Sequence, residues 1–331
     1  MGSSTPVAAA ASPEFIAVFR RQADRDGTMT FADFMALALY HPEVGYYRRA
    51  RQRVGYAPDT DFFTASTSGA IFGELITAAS CALLGDDDPR DFTFVEIGAE
   101  PGAGVLAAVS HPFLSSRVVQ VGEPLELCGR CVVFSNELFD AQPFHRFVFR
   151  RQAWHEIAVV LRADELAEIE IPLGKAVSLL PAAAPEGYVI DAPLAATALM
   201  ATIAAEPWTG VLIAADYGKA WRELIEATPA GTARAYFRHT QSNDLLARPG
   251  EQDLTCHICW DWLVDVVERS GFGSPKVESQ EAFFVRHAAS FIARTIAAEA
   301  AQFSQRKLAL LQLLHPSHLG QKFQLLHAVR R

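Results

Sequence analysis

Cysteine is scarce in this chain: five among 331 residues, an odd number. That excludes a disulfide-framed secreted scaffold and fits a reducing, cytoplasmic compartment. Two C-x-x-C spacings do occur, Cys128 to Cys131 and Cys256 to Cys259. They lie about 125 residues apart, far outside zinc-ribbon spacing. Each borders an apolar segment, where cysteine acts as a small buried hydrophobe. Core cysteines are therefore the reading, with zinc and a redox pair as alternatives. A basic excess is also missing. Lys and Arg number 29 against 38 Asp and Glu, for a formal charge of -9, which argues against a general nucleic-acid surface. The local run from Arg48 to Arg53 reads as a solvated loop. No apolar stretch of about 18 residues occurs, so no membrane span is expected. The first residues carry neither a positive n-region nor an apolar h-region. A disordered lead-in is expected there, and Met1-Gly2 alone does not support a lipid anchor. Finally, the complete G-x-G-x-x-G fingerprint is absent: after Glu96 the glycines fall at 98, 102 and 104.

Half of the residues are apolar, enough to bury a sizeable core. A helix is expected over Pro13 to Arg25, with Ser12 as cap, and a second from Thr30 to the His41-Pro42 step. A third runs from about Ser68 to Leu84 and breaks at Asp86-Asp87-Asp88-Pro89. Phe92 to Ile97 is a buried strand that leads through the glycines into a short helix, Val105 to Ser110. Arg117 to Gly122 and Cys131 to Phe134 are further strands. Alternating apolar residues between Phe144 and Leu173 indicate antiparallel strands, an insertion at about 144–190. A helix over Ala192 to Ala205, the buried strand Gly210 to Asp216 and a helix over Trp260 to Ser270 follow. Strands are expected at Val277 to Glu281 and Lys322 to Val329, with helical Ala288 to Leu314 between them. Strands alternating with helices imply an α/β sheet, mostly parallel, behind a helical N-terminal region. The expected division is 1–90 and 91–331.

The chemistry concentrates in two places. Val132 to Phe147, VVFSNELFDAQPFHRF, ends an apolar strand at Asn136-Glu137, with Asp140 three residues on. In open α/β sheets ligands bind at the carboxyl ends of strands. About 40 residues upstream, Glu96-Ile97-Gly98-Ala99-Glu100-Pro101-Gly102-Ala103-Gly104 forms a strand-to-glycine turn that lets a ligand approach backbone closely. Glu96 on the strand favours a methyl-donor pocket over a dinucleotide one.

These blocks carry a resemblance. Thr30-Phe31-Ala32-Asp33-Phe34-Met35, Leu39-Tyr40-His41-Pro42, Gly45-Tyr46-Tyr47, Asp61-Phe62-Phe63-Thr64-Ala65 and Phe72-Gly73-Glu74 come first in order. Glu96-Ile97-Gly98, Asn136-Glu137-Leu138-Phe139-Asp140-Ala141-Gln142-Pro143, Asp216-Tyr217-Gly218, Gly231-Thr232 and Pro249 to Thr255 follow. Together they resemble, over nearly the whole chain, the family of mitochondrial complex I assembly methyltransferases and their bacterial relatives. The resemblance implies a class I methyltransferase-like (Rossmann-like) fold and S-adenosylmethionine as cofactor. It implies a protein substrate, an arginine of a respiratory-complex subunit, and admits a homodimer. Glu137 and Asp140 become the catalytic candidates, because carboxylates pair bidentately with a guanidinium. Glu96, Gly98, Gly102, Gly104, Glu123, Asn136, Asp61 and Thr64 become the cofactor-binding candidates. The sequence departs from the family at Glu100-Pro101, which lengthens the glycine turn, and at Thr60, where glycine is expected. The segment from Glu96 to Asn136 is also short. Either Glu123 is the acid that binds the ribose hydroxyls, or that acid is absent. The alternative function is a catalytically degenerate protein of this fold that serves as a binding or assembly factor. An NAD(P)-dependent oxidoreductase is disfavoured by the missing fingerprint.

Overall fold

The structure, a computed structural model, describes residues 11–51, 53–55, 57, 58, 60, 61, 68–173, 177–300 and 304–331. The expected lead-in at residues 1–10 and the candidate Thr64 lie outside the described residues. Contacts divide the chain into two compact units, each drawn from three segments. One takes Met1–Phe62, Ala141–Ala196 and Lys219–Cys259; the other takes Phe63–Asp140, Thr197–Gly218 and Trp260–Arg331. The expected insertion near 144–190 thus falls in the first unit, and residue 90 in the second.

The first unit holds a five-stranded antiparallel sheet. Thr28–Thr30, Ala153–Arg162, His145–Arg150 and Val189–Ala192 pair in that order, and Glu165–Pro172 pairs with Ala153–Arg162. The helices Pro13–Gln22 and Phe31–Tyr40 belong to the same unit. Both start on the expected caps: Phe15 N donates to Ser12 Oγ at 3.2 Å, and Asp33 N to Thr30 Oγ1 at 3.1 Å. Their apolar faces bury Phe15, Phe19, Phe31 and Phe34 with Phe144 and Val159 in one core cluster.

The second unit is built on a six-stranded sheet. Its order is Gly273–Ser279, Gln324–Arg330, Trp208–Asp216, Gly129–Asn136, Thr93–Ile97, Ser115–Val119. The last four strands run parallel. Gln324–Arg330 is antiparallel to both of its neighbours, so the sheet is mixed. Trp208–Asp216 is buried at all but one position, as expected for a strand covered on both faces. Gly210, the third residue of that strand, has φ +125°, and a Cβ there would meet the Cys131 carbonyl oxygen at 2.1 Å. The helices Ala70–Leu84, Gln280–His287 and Gln305–Leu314 contribute Phe72, Phe283, Phe284 and Leu310 to a core shared with Phe94, Phe134 and Ile213.

The structure corrects some sequence expectations. Val105 to Ser110 forms turns, not a helix. Ala288 to Leu314 contains two helices, Ala289–Ala298 and Gln305–Leu314. Glu281 lies in the first turn of the helix after the outer strand, which ends at Ser279.

Candidate active site at the carboxyl ends of the parallel strands

The strand Thr93–Ile97 ends in Gly98, whose φ of +88° turns the chain sharply. Gly98 N donates to Val119 O at 2.9 Å, which ties this turn to the end of the neighbouring strand. Gly102 repeats the left-handed geometry, with φ +76° and open space where a Cβ would stand. Gly104 is closed in: a Cβ there would meet Val118 Cγ2 at 3.0 Å and Glu96 Oε2 at 3.3 Å.

Glu96 is buried, and its Oε2 accepts a hydrogen bond from Val105 N at 2.6 Å. It therefore staples the far side of the glycine loop to the strand. Burial pushes its pKa up to about 7, against the opposing pull of the Val105 N–H. A raised carboxyl pKa stabilises the fold most below the unfolded value near 4.5, and that contribution fades as pH climbs through 7. Glu96→Gln keeps an acceptor for Val105 and does not titrate. Between pH 4.5 and 7 the variant should therefore gain on the wild type by up to about 3 kcal/mol. Urea unfolding midpoints across that range test this; parallel pH profiles would refute it.

Glu123 follows the strand Ser115–Val119 and is exposed. Its Oε2 accepts from Gln120 N at 2.8 Å, closing the turn in which Glu123 N donates to Gln120 O at 3.0 Å. It stands beyond a strand end, where a ribose-binding acid is sought, but is engaged with its own turn.

The second half of the site hangs from Gly129–Asn136. Ile97 pairs with Ser135, which sets Gly98 beside Asn136 in register. Asn136 Nδ2 donates to Glu137 Oε1 at 2.9 Å, while its buried Oδ1 has no hydrogen-bond partner among the described residues. Glu137 adopts φ +52°, a left-handed conformation that is costly for any residue with a Cβ. Its N–H donates to Ala215 O at 2.9 Å. Strain of this kind persists where the surroundings enforce it, and it clusters at functional sites.

The surroundings here are Asp216, fully buried at the end of Trp208–Asp216. Asp216 Oδ2 accepts from Phe139 N at 2.9 Å and from Asp140 N at 3.3 Å, and Oδ1 accepts from Tyr217 N at 2.8 Å. Burial pushes its pKa up to about 7, and backbone donors pull the other way. The loop from Glu137 to Asp140 is thus suspended from the next strand. Asp140 itself is buried, at 5% exposure, so Glu137 is the more accessible of the two carboxylates. Asp216 was not among the expected site residues. Its signal in the sequence is an acid that terminates the apolar run GVLIAAD.

Asp61 belongs to the other unit and is wholly enclosed there. Its Oδ2 accepts from Tyr46 Oη at 2.6 Å and from Arg51, and its Oδ1 accepts from Arg238 N at 2.9 Å. Burial pushes the Tyr46 hydroxyl well above its ordinary pKa. In this unit Arg53, at 2% exposure, donates to the carbonyls of Tyr46, Arg49 and Arg51 and lies over the Tyr46 ring. Asp61 therefore organises the loop that carries the basic run. No cysteine forms a disulfide; Cys131, Cys256 and Cys259 are buried, and none belongs to a metal-ligating cluster among the described residues.

Residues 115–276 match the model of the family described as "Putative S-adenosyl-L-methionine-dependent methyltransferase". A Xenopus tropicalis relative, the mitochondrial protein arginine methyltransferase NDUFAF7, is 22% identical over 73% of this chain and 68% of its own length. A Burkholderia thailandensis protein, solved with S-adenosyl-homocysteine and described as a candidate methyl transferase, superposes with a TM-score of 0.83. It is 23% identical, with 99% of this chain and 95% of that chain covered. A native structure of a B. thailandensis protein superposes at 0.79, with 22% identity and the same coverage. No helix among the described residues is long and apolar enough to cross a membrane. Over residues 115–276 the chain is thus similar to a family of S-adenosylmethionine-dependent methyltransferases, and it shares its fold with the two B. thailandensis proteins.

Proposed function

We propose that this chain binds S-adenosylmethionine at the carboxyl ends of Thr93–Ile97 and Gly129–Asn136 and methylates a protein arginine, with a respiratory-complex subunit as the substrate class. The observation that carries the reading is the buried, unpartnered Asn136 Oδ1 beside the Gly98 turn, next to a carboxylate held in a strained backbone. A buried acceptor without a donor is costly, and a cofactor amino group supplies the missing donor. The open space at Gly102 admits a ligand close to the backbone. When bound, the cofactor supplies an electrophilic sulfonium methyl.

Glu137 receives the guanidinium, whose planar donors match a carboxylate fork. It would aim one nitrogen at the methyl and take up the proton that the nitrogen loses as the N–C bond forms and the C–S bond breaks, the electron pair leaving on the sulfur. Asp140 and Asp216 hold the loop that presents Glu137. Five cysteines without a disulfide fit a reducing, cytoplasmic location. The expected homodimer stays part of this proposal.

A second reading has its own support. The loop after Gly98 forms turns in place of the expected helix, and Glu123 is engaged with Gln120. A protein of this fold that no longer binds the methyl donor would serve as an assembly factor. Calorimetry with S-adenosylmethionine and S-adenosylhomocysteine separates the two. We expect saturable heat with both ligands, and at least tenfold weaker binding for Asn136→Ala, the loss of about 1.4 kcal/mol that one hydrogen bond carries. No heat at millimolar ligand would leave the binding-protein reading standing.

A further inference from the structure

The geometry points to a divalent transition-metal site formed by Glu278, His287 and His327. Glu278 comes from the outer strand Gly273–Ser279, His327 from its partner strand Gln324–Arg330, and His287 from the last turn of the helix Gln280–His287. Glu278 pairs with Leu325, so His327, two residues on, projects from the same face of the sheet. One ligand atom from each of the three residues lies within 4.8 Å of the others.

The individual spacings decide the reading. Glu278 Oε2 lies 3.0 Å from His327 Nε2 and 3.6 Å from His287 Nε2. A tetrahedral ion with bonds of about 2.0–2.1 Å holds its ligand atoms about 3.3 Å apart. The cluster brackets that distance before any ion enters. A purely structural hydrogen-bond cluster accounts for His327 and Glu278 but not for His287. The His287 Nε2 is buried and has no hydrogen-bond partner among the described residues, and a neutral imidazole nitrogen is the form that binds a metal.

Burial lowers the pKa of both histidines, against the pull of Glu278, which favours the neutral imidazole that a metal takes. Arg286 pairs with Glu278 Oε1, which leaves Oε2 directed at the histidines. Fixing a ligating carboxylate from behind is the usual task of such an outer partner. The ring of Phe283 lies 5.1 Å from His287 and 5.3 Å from His327, and limits their rotation. Two imidazoles and one carboxylate suit Zn2+, Co2+, Ni2+ or Fe2+. They do not suit Mg2+ or Ca2+, which take oxygen ligands. Three protein ligands leave a fourth position for water. The ion would pin the helix Gln280–His287 to the two outermost strands of the sheet.

The test is a Co2+ titration of chelator-stripped full-length protein, read by the visible absorption of tetrahedral Co2+. One equivalent should bind, Zn2+ should displace it, and millimolar Mg2+ should not. His287→Ala and Glu278→Gln should each weaken binding at least about tenfold, while Cys128→Ser with Cys131→Ser leaves it unchanged. No absorption in folded wild type, survival of the band in His287→Ala, or its loss in the cysteine variant would overturn the site. Should a variant not fold, anomalous scattering from wild-type crystals soaked in Zn2+ decides. A peak bounded by Glu278, His287 and His327 supports the site, and its absence there refutes it.

Discussion

Replacing Glu137 by Gln should lower methyl transfer to a protein arginine by about two to four orders of magnitude, the usual worth of a positioned general base. Affinity for S-adenosylmethionine should change little. The substitution is nearly isosteric, and Gln Oε1 can still accept from Asn136 Nδ2, as Glu137 Oε1 does at 2.9 Å. What it removes is the negative charge that pairs with the guanidinium and the basicity that accepts its proton. Single-turnover transfer of a labelled methyl group measures the effect directly. An unchanged rate would remove Glu137 from the chemistry. A companion variant separates catalysis from folding. Glu137 sits at φ +52°, where a side chain costs about 1–2 kcal/mol and glycine nearly nothing. Glu137→Gly should therefore unfold at higher urea than wild type while transferring no methyl. The gain will be less than the full strain, because the Asn136 hydrogen bond is lost with the side chain. A destabilised Glu137→Gly would mean that the left-handed turn is not strained for function.

Much of the scaffold around Glu137 is legible in the sequence, because it depends on local signals. Ser12 and Thr30 cap the helices they precede, and apolar runs such as GVLIAAD become buried strands. Other features depend on residues far apart. The hairpin turns Arg151-Gln152 and Ala163-Asp164 all have positive φ yet contain no glycine or asparagine, so the usual mark of a tight hairpin is missing. The helix expected at Val105 to Ser110 is too short to overcome helix nucleation on its own, and Pro112 keeps it from extending past that end. The mixed sheet arises because Gln324–Arg330 inserts between the outer strand and Trp208–Asp216, and a strand's order cannot be read from its own pattern. Asp216 is the sharpest case. Its partners, Phe139 and Asp140, lie 77 and 76 positions away in the chain, so the acid that ends GVLIAAD marks a position of interest without showing which loop it anchors.

Asp216→Ala should be the most destabilising change in the site, at about 4 kcal/mol or more. The carboxylate accepts from three backbone N–H groups, those of Phe139, Asp140 and Tyr217. Each buried donor left without an acceptor costs about 1–3 kcal/mol. Asp216→Asn tests whether acceptor geometry or charge matters. It retains one oxygen, but its amide then presents N–H groups to backbone N–H groups, so it should recover only part of the loss. The pH dependence carries the same logic with a definite sign. Burial raises the Asp216 pKa from 3.8 to about 7, so its titration erodes wild-type stability as pH rises between those values. Neither variant has that component, and the gap between wild type and Asp216→Asn should narrow as pH goes from 4 to 7. Denaturant unfolding across this range reads both effects. A cost below about 1 kcal/mol for Asp216→Ala would show that the three hydrogen bonds are readily replaced by water. The loop from Glu137 to Asp140 would then be positioned by other contacts, among them the Glu137 N–H to the Ala215 carbonyl. If the cost is large, methyl transfer by Asp216→Asn should fall even where most of the protein is folded, because the strained backbone at Glu137 relaxes once its loop is released.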